Sequence, residues 1–137
     1  MTRNVYTFLA CLLAFAVVLG CGGSKEPTVK WSGTVTIEGQ PIPGNAQGQI
    51  IVSSNSATGA SRGDQAEIVN GSYTLNNVPK GEVMVSFDIY TTAPAKDKLD
   101  AERGLMDTTS IVPQRWTQGV ADTADQNDAA KNFDLTK

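Results

Sequence analysis

The side chains of this chain that could carry out chemistry are its carboxylates and two cysteines. The sequence of 137 residues contains 14 acidic residues, two cysteines and no histidine. Because histidine is absent, there is no imidazole to act as a general base or metal ligand, and a serine–histidine–aspartate triad is excluded. Both cysteines, Cys11 and Cys21, lie near the N-terminus, which leaves the rest of the chain without a thiol for zinc. The sequence therefore predicts a protein that is not an enzyme and holds no cofactor.

Three of the carboxylates, Asp122, Asp125 and Asp128, recur at every third position. Oxygen ligands of this kind bind Ca²⁺, but an EF-hand loop needs ligands at alternate positions and a central glycine. The segment has neither feature, so we interpret it as a solvated acidic loop and predict no metal site. The chain also shows no pair of carboxylates marked out for acid–base cleavage of a glycosidic bond.

The N-terminal segment has the pattern of an export signal. Arg3 is followed by an apolar run from about Val5 to Leu19, which is shorter than the roughly 20 residues that a membrane-spanning helix needs. Such a run, ending in small residues, is typical of a signal peptide, and it predicts an N-terminal signal helix over residues 1–20. An uncleaved anchor helix is the alternative.

The end of this run, Val18-Leu19-Gly20-Cys21, resembles the lipobox of bacterial lipoproteins. In that family the cysteine thiol receives a diacylglyceryl group, the signal is cleaved before the cysteine, and the new N-terminus is usually acylated. The resemblance implies lipidation of Cys21 and a lipid-anchored protein of the cell envelope, facing the periplasm or the exterior. Residue 22 is glycine rather than the aspartate that signals inner-membrane retention, which favours the outer membrane.

The composition of the remaining chain predicts a tether over residues 21–28 and one domain over residues 29–137. The tether is rich in glycine, serine, proline and charged residues, as flexible linkers are. From Cys21 onward ten basic residues stand against fourteen acidic ones, a net charge of −4. Nucleic-acid binding needs clustered cations, so this balance argues against it. The partners that we expect are the membrane, through the lipid, and a protein or glycan of the envelope.

Alternating apolar and polar residues predict several antiparallel strands with one buried face. The clearest segments start at Val29, at Ala46, at Glu82 and at Lys131. The residues predicted to face inward are Val29, Trp31, Gly33, Val35, Ile37, Val83, Val85, Phe87, Ile89, Phe133 and Leu135.

Two turn signals lie close together in the middle of the chain. Asn70-Gly71 predicts a two-residue hairpin turn of type I′, in which both residues have positive φ. The register that follows places Ala66 opposite Leu75, with both side chains facing inward. A second reversal is predicted at 78–81, where proline presets φ and glycine follows.

The alternation is lost over residues 90–131. A short helix is predicted around 95–106, with Leu99 and Met106 facing inward. Around Pro113 we predict a short extended edge segment, because proline cannot donate a hydrogen bond within a central strand.

Short strands separated by turn residues predict an all-β sandwich. The chain resembles carboxypeptidase regulatory-like domains at Gly33, Val35, 39–44, 71–75 and 78–81. Two further segments, 112–116 and 132–135, are similar to small lipoproteins of this type. The resemblance implies a transthyretin-like (prealbumin-like) Greek-key β-sandwich of about seven strands. The hydrolase branch of that fold uses histidines and a C-terminal Tyr-Arg-Gly-Ser, which this chain lacks, and the Gln- and Ser-rich segment 47–56 departs from the family pattern.

Two aromatic residues at the borders of the irregular region, Tyr90 and Trp116, are predicted to form a binding surface, since aromatic side chains are favoured at interfaces. Packing of that region onto the sandwich is the alternative. We therefore expect a non-enzymatic, membrane-anchored lipoprotein that acts as a binding or structural module. The alternatives are a carbohydrate-binding accessory protein and an accessory domain that stabilises an exported enzyme partner.

Overall fold

The computed structural model describes residues 27–55 and 62–137, and these form two β-sheets around one core. The predicted signal helix, the lipidation site Cys21 and most of the tether lie outside the described residues. In the described part of the chain, no helix is long and apolar enough to cross a membrane. The elements in chain order are β1 (Thr28–Ile37), β2 (Gln40–Pro41), β3 (Ala46–Ser54), β4 (Gly63–Glu67), β5 (Ser72–Pro79), β6 (Gly81–Pro94), α1 (Lys98–Glu102), β7 (Met106–Ser110), α2 (Gln114–Gln118), β8 (Val120–Ala124) and β9 (Phe133–Leu135).

The strands are divided between two sheets, and the chain crosses from one sheet to the other more than once. Sheet I has the order β2-β1-β5, and β9 pairs with β1 in parallel. Sheet II has the order β4-β3-β6-β7, and β8 pairs with the first part of β6. Because β4 and β5 belong to different sheets, as do β5 and β6, each of these connections carries the chain from one layer to the other.

The predicted inward faces are confirmed. Buried residues from both sheets form one core, to which β6 contributes Val83, Val85, Phe87 and Ile89. Of the strand residues predicted to face inward, Gly33, Ile37 and Ala66 are partly exposed. The all-β, two-layer prediction is therefore confirmed.

The Asn70-Gly71 turn is confirmed, but the hairpin predicted around it is wrong. Asn70 and Gly71 have φ values of 51° and 76°, and one bridge joins Val69 to Ser72 on either side. Beyond that bridge β4 pairs with β3 and β5 pairs with β1, so Ala66 lies opposite a residue of β3 rather than Leu75. Alternation determines which face of a strand is buried, and the inward faces of β4 and β5 were predicted correctly. It does not determine which strand lies beside each of them.

The side chain of Asp64 holds this corner between the two sheets. Its Oδ2 accepts hydrogen bonds from the backbone amides of Asn76 (2.8 Å) and Asn77 (2.7 Å) in β5. Its Oδ1 accepts from the amide of Gln65 at 3.0 Å. One carboxylate of sheet II therefore satisfies two donors on the edge of sheet I, where a regular hairpin would have used backbone carbonyls.

The helix predicted around 95–106 is present as α1, but its predicted orientation is wrong. Leu99 is 65% exposed and Met106, which lies in β7, is 54% exposed. The helix α1 connects the last residues of β6 to β7 in a two-stranded arm, and no residue of α1 or β7 is buried against the described part of the chain. Asp97 caps the helix by accepting from the amide of Leu99 at 2.9 Å.

The extended edge segment predicted around Pro113 is also wrong. Pro113 has a φ of −58° and is the N-cap residue of α2. The fixed φ of proline suits the start of a helix as well as an extended edge. The strands β7 and β8 in this region were not predicted, because their residues are mostly exposed and show no apolar alternation.

The C-terminal segment, residues 127–135, closes the free edge of β1. The amides of Lys30 and Thr34 donate to the side-chain Oδ1 atoms of Asn127 (2.8 Å) and Asn132 (2.9 Å). The amide between them, that of Ser32, donates to the carbonyl of Asp128 at 2.9 Å. An open strand edge invites pairing with other chains, and this segment occupies the edge instead.

Phe133, in the C-terminal segment, is the centre of an aromatic cluster that joins both sheets and α2. Its ring centroid lies 6.5 Å from that of Trp31 and 6.1 Å from that of Tyr73, both in sheet I. It lies 5.3 Å from Phe87 of sheet II and 6.1 Å from Trp116 of α2. The contacts with Phe87 and Trp116 are edge-to-face, a geometry that adds to the free energy gained by burying the rings.

We predict that Phe133→Ala lowers the free energy of unfolding by about 3–5 kcal/mol, because it leaves a cavity where both sheets meet. Phe133→Leu, which refills much of that volume, should lose clearly less. Denaturant unfolding followed by tryptophan fluorescence measures both, since Trp31 and Trp116 are buried in the same cluster. Equal losses of unfolding free energy for the two variants would contradict the role given to the Phe133 ring.

Candidate functional site

The structure does not bring Tyr90 and Trp116 together on one surface. Trp116 is only 8% exposed, and its ring centroid lies 5.7 Å from that of Phe87. Its Nε1 donates a hydrogen bond to the carbonyl of Thr136 at 3.1 Å. A buried indole presents no face to a ligand, so Trp116 packs the core, as the alternative interpretation had it. The helical turn that begins after Pro113 directs this ring inward.

Tyr90 lies on the outer face of sheet II, where it lines a groove of about 360 Å³. We call this the sheet-II groove. Its lining residues come from three neighbouring strands and are Gln47, Gly48, Gln49, Glu67, Asp88 and Tyr90.

Strand register accounts for the arrangement of the groove. Gln49 of β3 lies opposite Glu67 of β4 on one side and opposite Asp88 of β6 on the other. These three residues form one row across the sheet. In the next row Gln47 lies opposite Tyr90. Because side chains alternate along a strand, both rows project from the same outer face.

The groove combines two carboxylates, two amides and one phenol ring. Carboxylates accept hydrogen bonds, whereas each glutamine amide both donates and accepts. None of the ion pairs Arg103–Asp100, Lys131–Asp122 and Lys137–Glu38 includes Glu67 or Asp88. The outer face of sheet II is therefore equipped for hydrogen bonding to a ligand beside an aromatic ring.

Sequence reasoning identified only Tyr90 among the groove residues. Gln47 and Gln49 fall in the Gln- and Ser-rich segment that departs from the family pattern. Their outward positions in β3 could have marked them, because they are the polar half of an alternating strand. Their proximity to Glu67 and Asp88 depends on strand order, which the sequence pattern does not contain.

The tightest group of titratable side chains lies at the C-terminal segment and has a structural role. Lys131 Nζ forms an ion pair with Asp122 at 2.8 Å and lies 4.7 Å from the ring centroid of Trp31. The Tyr73 hydroxyl donates to the carbonyl of Lys131 at 2.6 Å. Burial raises the pKa of Tyr73 well above that of an ordinary phenol, and the negative charges of Asp128 and Asp122 raise it further. Tyr73 therefore stays protonated and serves as a donor, not as a base.

Two of the three aspartates, Asp122 and Asp128, have partners within the domain. Asp122 pairs with Lys131, while Asp128 accepts a hydrogen bond from the amide of Ala130 at 2.8 Å. Across the part of the chain that the structure describes, no three acidic, cysteine or histidine residues are grouped in a way that could hold a metal ion.

Comparison with known proteins gives no relative for this chain: no family model, no curated protein and no solved structure matches it.

We predict that Tyr73→Phe lowers the free energy of unfolding at neutral pH by about 1 kcal/mol, the usual contribution of one hydrogen bond. The pH dependence should change as well. Because folding raises the Tyr73 pKa, the unfolded chain releases this proton first above about pH 10, and the stability of the wild type falls there as the pH rises. Tyr73→Phe should lack that part of the fall. If the free energy of unfolding changes with pH in the same way for both proteins between pH 7 and pH 11, the assignment is contradicted.

Proposed function

We propose that this chain is a non-enzymatic lipoprotein, anchored to the cell envelope through acyl chains on Cys21, whose β-sandwich is a binding module. The outer membrane is the favoured location. We also propose that the sandwich is of the transthyretin-like, carboxypeptidase regulatory-like kind, with Greek-key connections.

The position at which the chain enters the sandwich supports an anchored, outward-facing module. The amide of Lys80, just before β6, donates to the carbonyl of Pro27 at 3.1 Å, so the tether meets the domain beside the first residue of β6. Tyr90 lies nine residues further along that strand, about 30 Å away at the usual rise per residue. An anchor attached at Cys21 would leave the sheet-II groove distant from the membrane and accessible to partners.

Insertion of acyl chains into the bilayer has a favourable free energy. Each buried methylene of an acyl chain contributes about 0.8 kcal/mol, so two or three chains hold a small domain on a bilayer essentially permanently. The apolar run that precedes Cys21 is then needed only for export, and the domain itself needs no membrane-spanning segment.

The proposed type of sandwich is supported by where the resembling segments fall in the fold. Segment 39–44 follows the turn at Glu38 and Gly39, whose φ values are 50° and 75°. Segment 78–81 is the corner at which the chain passes from sheet I to sheet II. The last segment, 132–135, contains β9, which pairs with β1. Each segment therefore serves a connection or an edge, as fold-determining motifs should.

We predict that Cys21→Ala abolishes incorporation of labelled palmitate and moves the protein out of the detergent phase, or leaves it as a precursor that retains its signal. The measurement is metabolic labelling followed by phase partitioning in a bacterial host that processes lipoproteins.

Cys11→Ala is the matched control, because it removes the other thiol of the chain and should be labelled and partitioned like the wild type. Equal labelling of the wild type and of Cys21→Ala would remove the lipoprotein proposal.

A further inference from the structure

The sheet-II groove places a polar amide between two carboxylates and next to a phenol ring. Gln49 sits at the centre of the first row, and Glu67 and Asp88 flank it on the adjoining strands. Adjacent strands lie about 4.8 Å apart, so the row extends about 10 Å across the face of the sheet. Tyr90 follows Asp88 by two residues on the same strand and therefore stands beside this row, on the same face.

These groups match the hydrogen-bonding pattern of a sugar. Each sugar hydroxyl donates one hydrogen bond and accepts others, and the row offers acceptors at both ends with a group that donates and accepts between them. The half-buried ring of Tyr90 provides an apolar surface on which the C–H face of a pyranose can lie. The groove volume of about 360 Å³ is within the range of small-molecule sites.

Other ligand classes fit this site less well. A calcium ion takes six to eight oxygen ligands, and the groove has two carboxylates on separate strands, with one strand between them. Anionic ligands, including acidic glycans, would be repelled by the two carboxylates, and the residues that line the groove include no lysine or arginine. A cationic peptide is the competing class, because its charge would be attracted to the carboxylates and to the face of the Tyr90 ring, and the trilysine probe below tests it.

We propose that the sheet-II groove binds a neutral saccharide. The ring of Tyr90 lies against one sugar unit, and Gln49 and Asp88 hydrogen-bond to the hydroxyls of that unit. The proposal deepens the binding role proposed above, because it names the ligand class of the module. The groove lies open on the sheet face, so it accepts an internal unit of a longer chain as well as an end.

The test is isothermal titration calorimetry with the full chain in a polyoxyethylene detergent, which carries no sugar headgroup to compete. The probes are maltohexaose, cellohexaose, xylohexaose and chitohexaose, with hexagalacturonate and trilysine as charged comparisons. We expect binding of at least one neutral hexasaccharide and of neither charged probe. No binding of any neutral probe, or binding of trilysine instead, would overturn the proposal.

Four variants test the site itself with the neutral probe that binds. We expect Tyr90→Ala and Gln49→Ala to weaken binding about tenfold or more, as truncation of a central contact residue does. Tyr90→Phe keeps the ring and should bind nearly as the wild type does. Ser53→Ala is the matched control, because Ser53 lies on the outer face of the same strand but outside the groove. Unchanged affinity in Tyr90→Ala, with circular dichroism like that of the wild type, would refute the site.

This result is separable from that of the anchoring experiment. If palmitate labels Cys21 but no neutral saccharide binds, the lipoprotein proposal stands and the saccharide site is wrong. If Cys21 is not labelled but the neutral probe binds in a Tyr90-dependent manner, the site stands and the anchor is wrong.

Discussion

The rest of the structure depends on the contact between the C-terminal segment and β1. The segment satisfies three successive outward amides of β1, at Lys30, Ser32 and Thr34, and it inserts Phe133 between the two sheets. Gly33 shows how close this approach is, because a Cβ atom there would lie 2.1 Å from the carbonyl oxygen of Lys131. An edge strand is thus converted into an internal one, and the aromatic cluster gains its central ring at the same place.

This arrangement places the contacts that stabilise the fold away from the proposed binding groove. The aromatic cluster and the Tyr73 hydroxyl act at sheet I and in the core between the layers, and the Lys131–Asp122 ion pair joins the C-terminal segment to β8 of sheet II. The outer face of sheet II has none of these tasks, so its polar side chains are free to serve a ligand. It can therefore carry Gln49, Asp88 and the exposed part of Tyr90 without a cost to the core, as binding sites on rigid scaffolds commonly do.

The alternation of apolar and polar residues predicted which face of each strand is buried, but it did not predict which strands pair with each other. Val85 and Phe133 were assigned inward from period-two alternation alone, and both are buried. The same pattern could not show that Ala66 pairs with β3, because that depends on which sheet each strand joins. Leu99 was wrongly assigned inward because helix periodicity does not show whether another layer lies above the helix. Only Tyr90 of the groove was predicted, since its other residues converge from strands distant in sequence.

The most direct test of this account is native-state hydrogen exchange at the amides of Lys30, Ser32 and Thr34. If the C-terminal segment seals β1, these amides exchange only when the whole domain unfolds, with the same free energy of opening as the amide of Val85 in the centre of sheet II. If they exchange as fast as the amides of an exposed edge strand while Val85 stays protected, the segment does not hold β1, and the account is wrong.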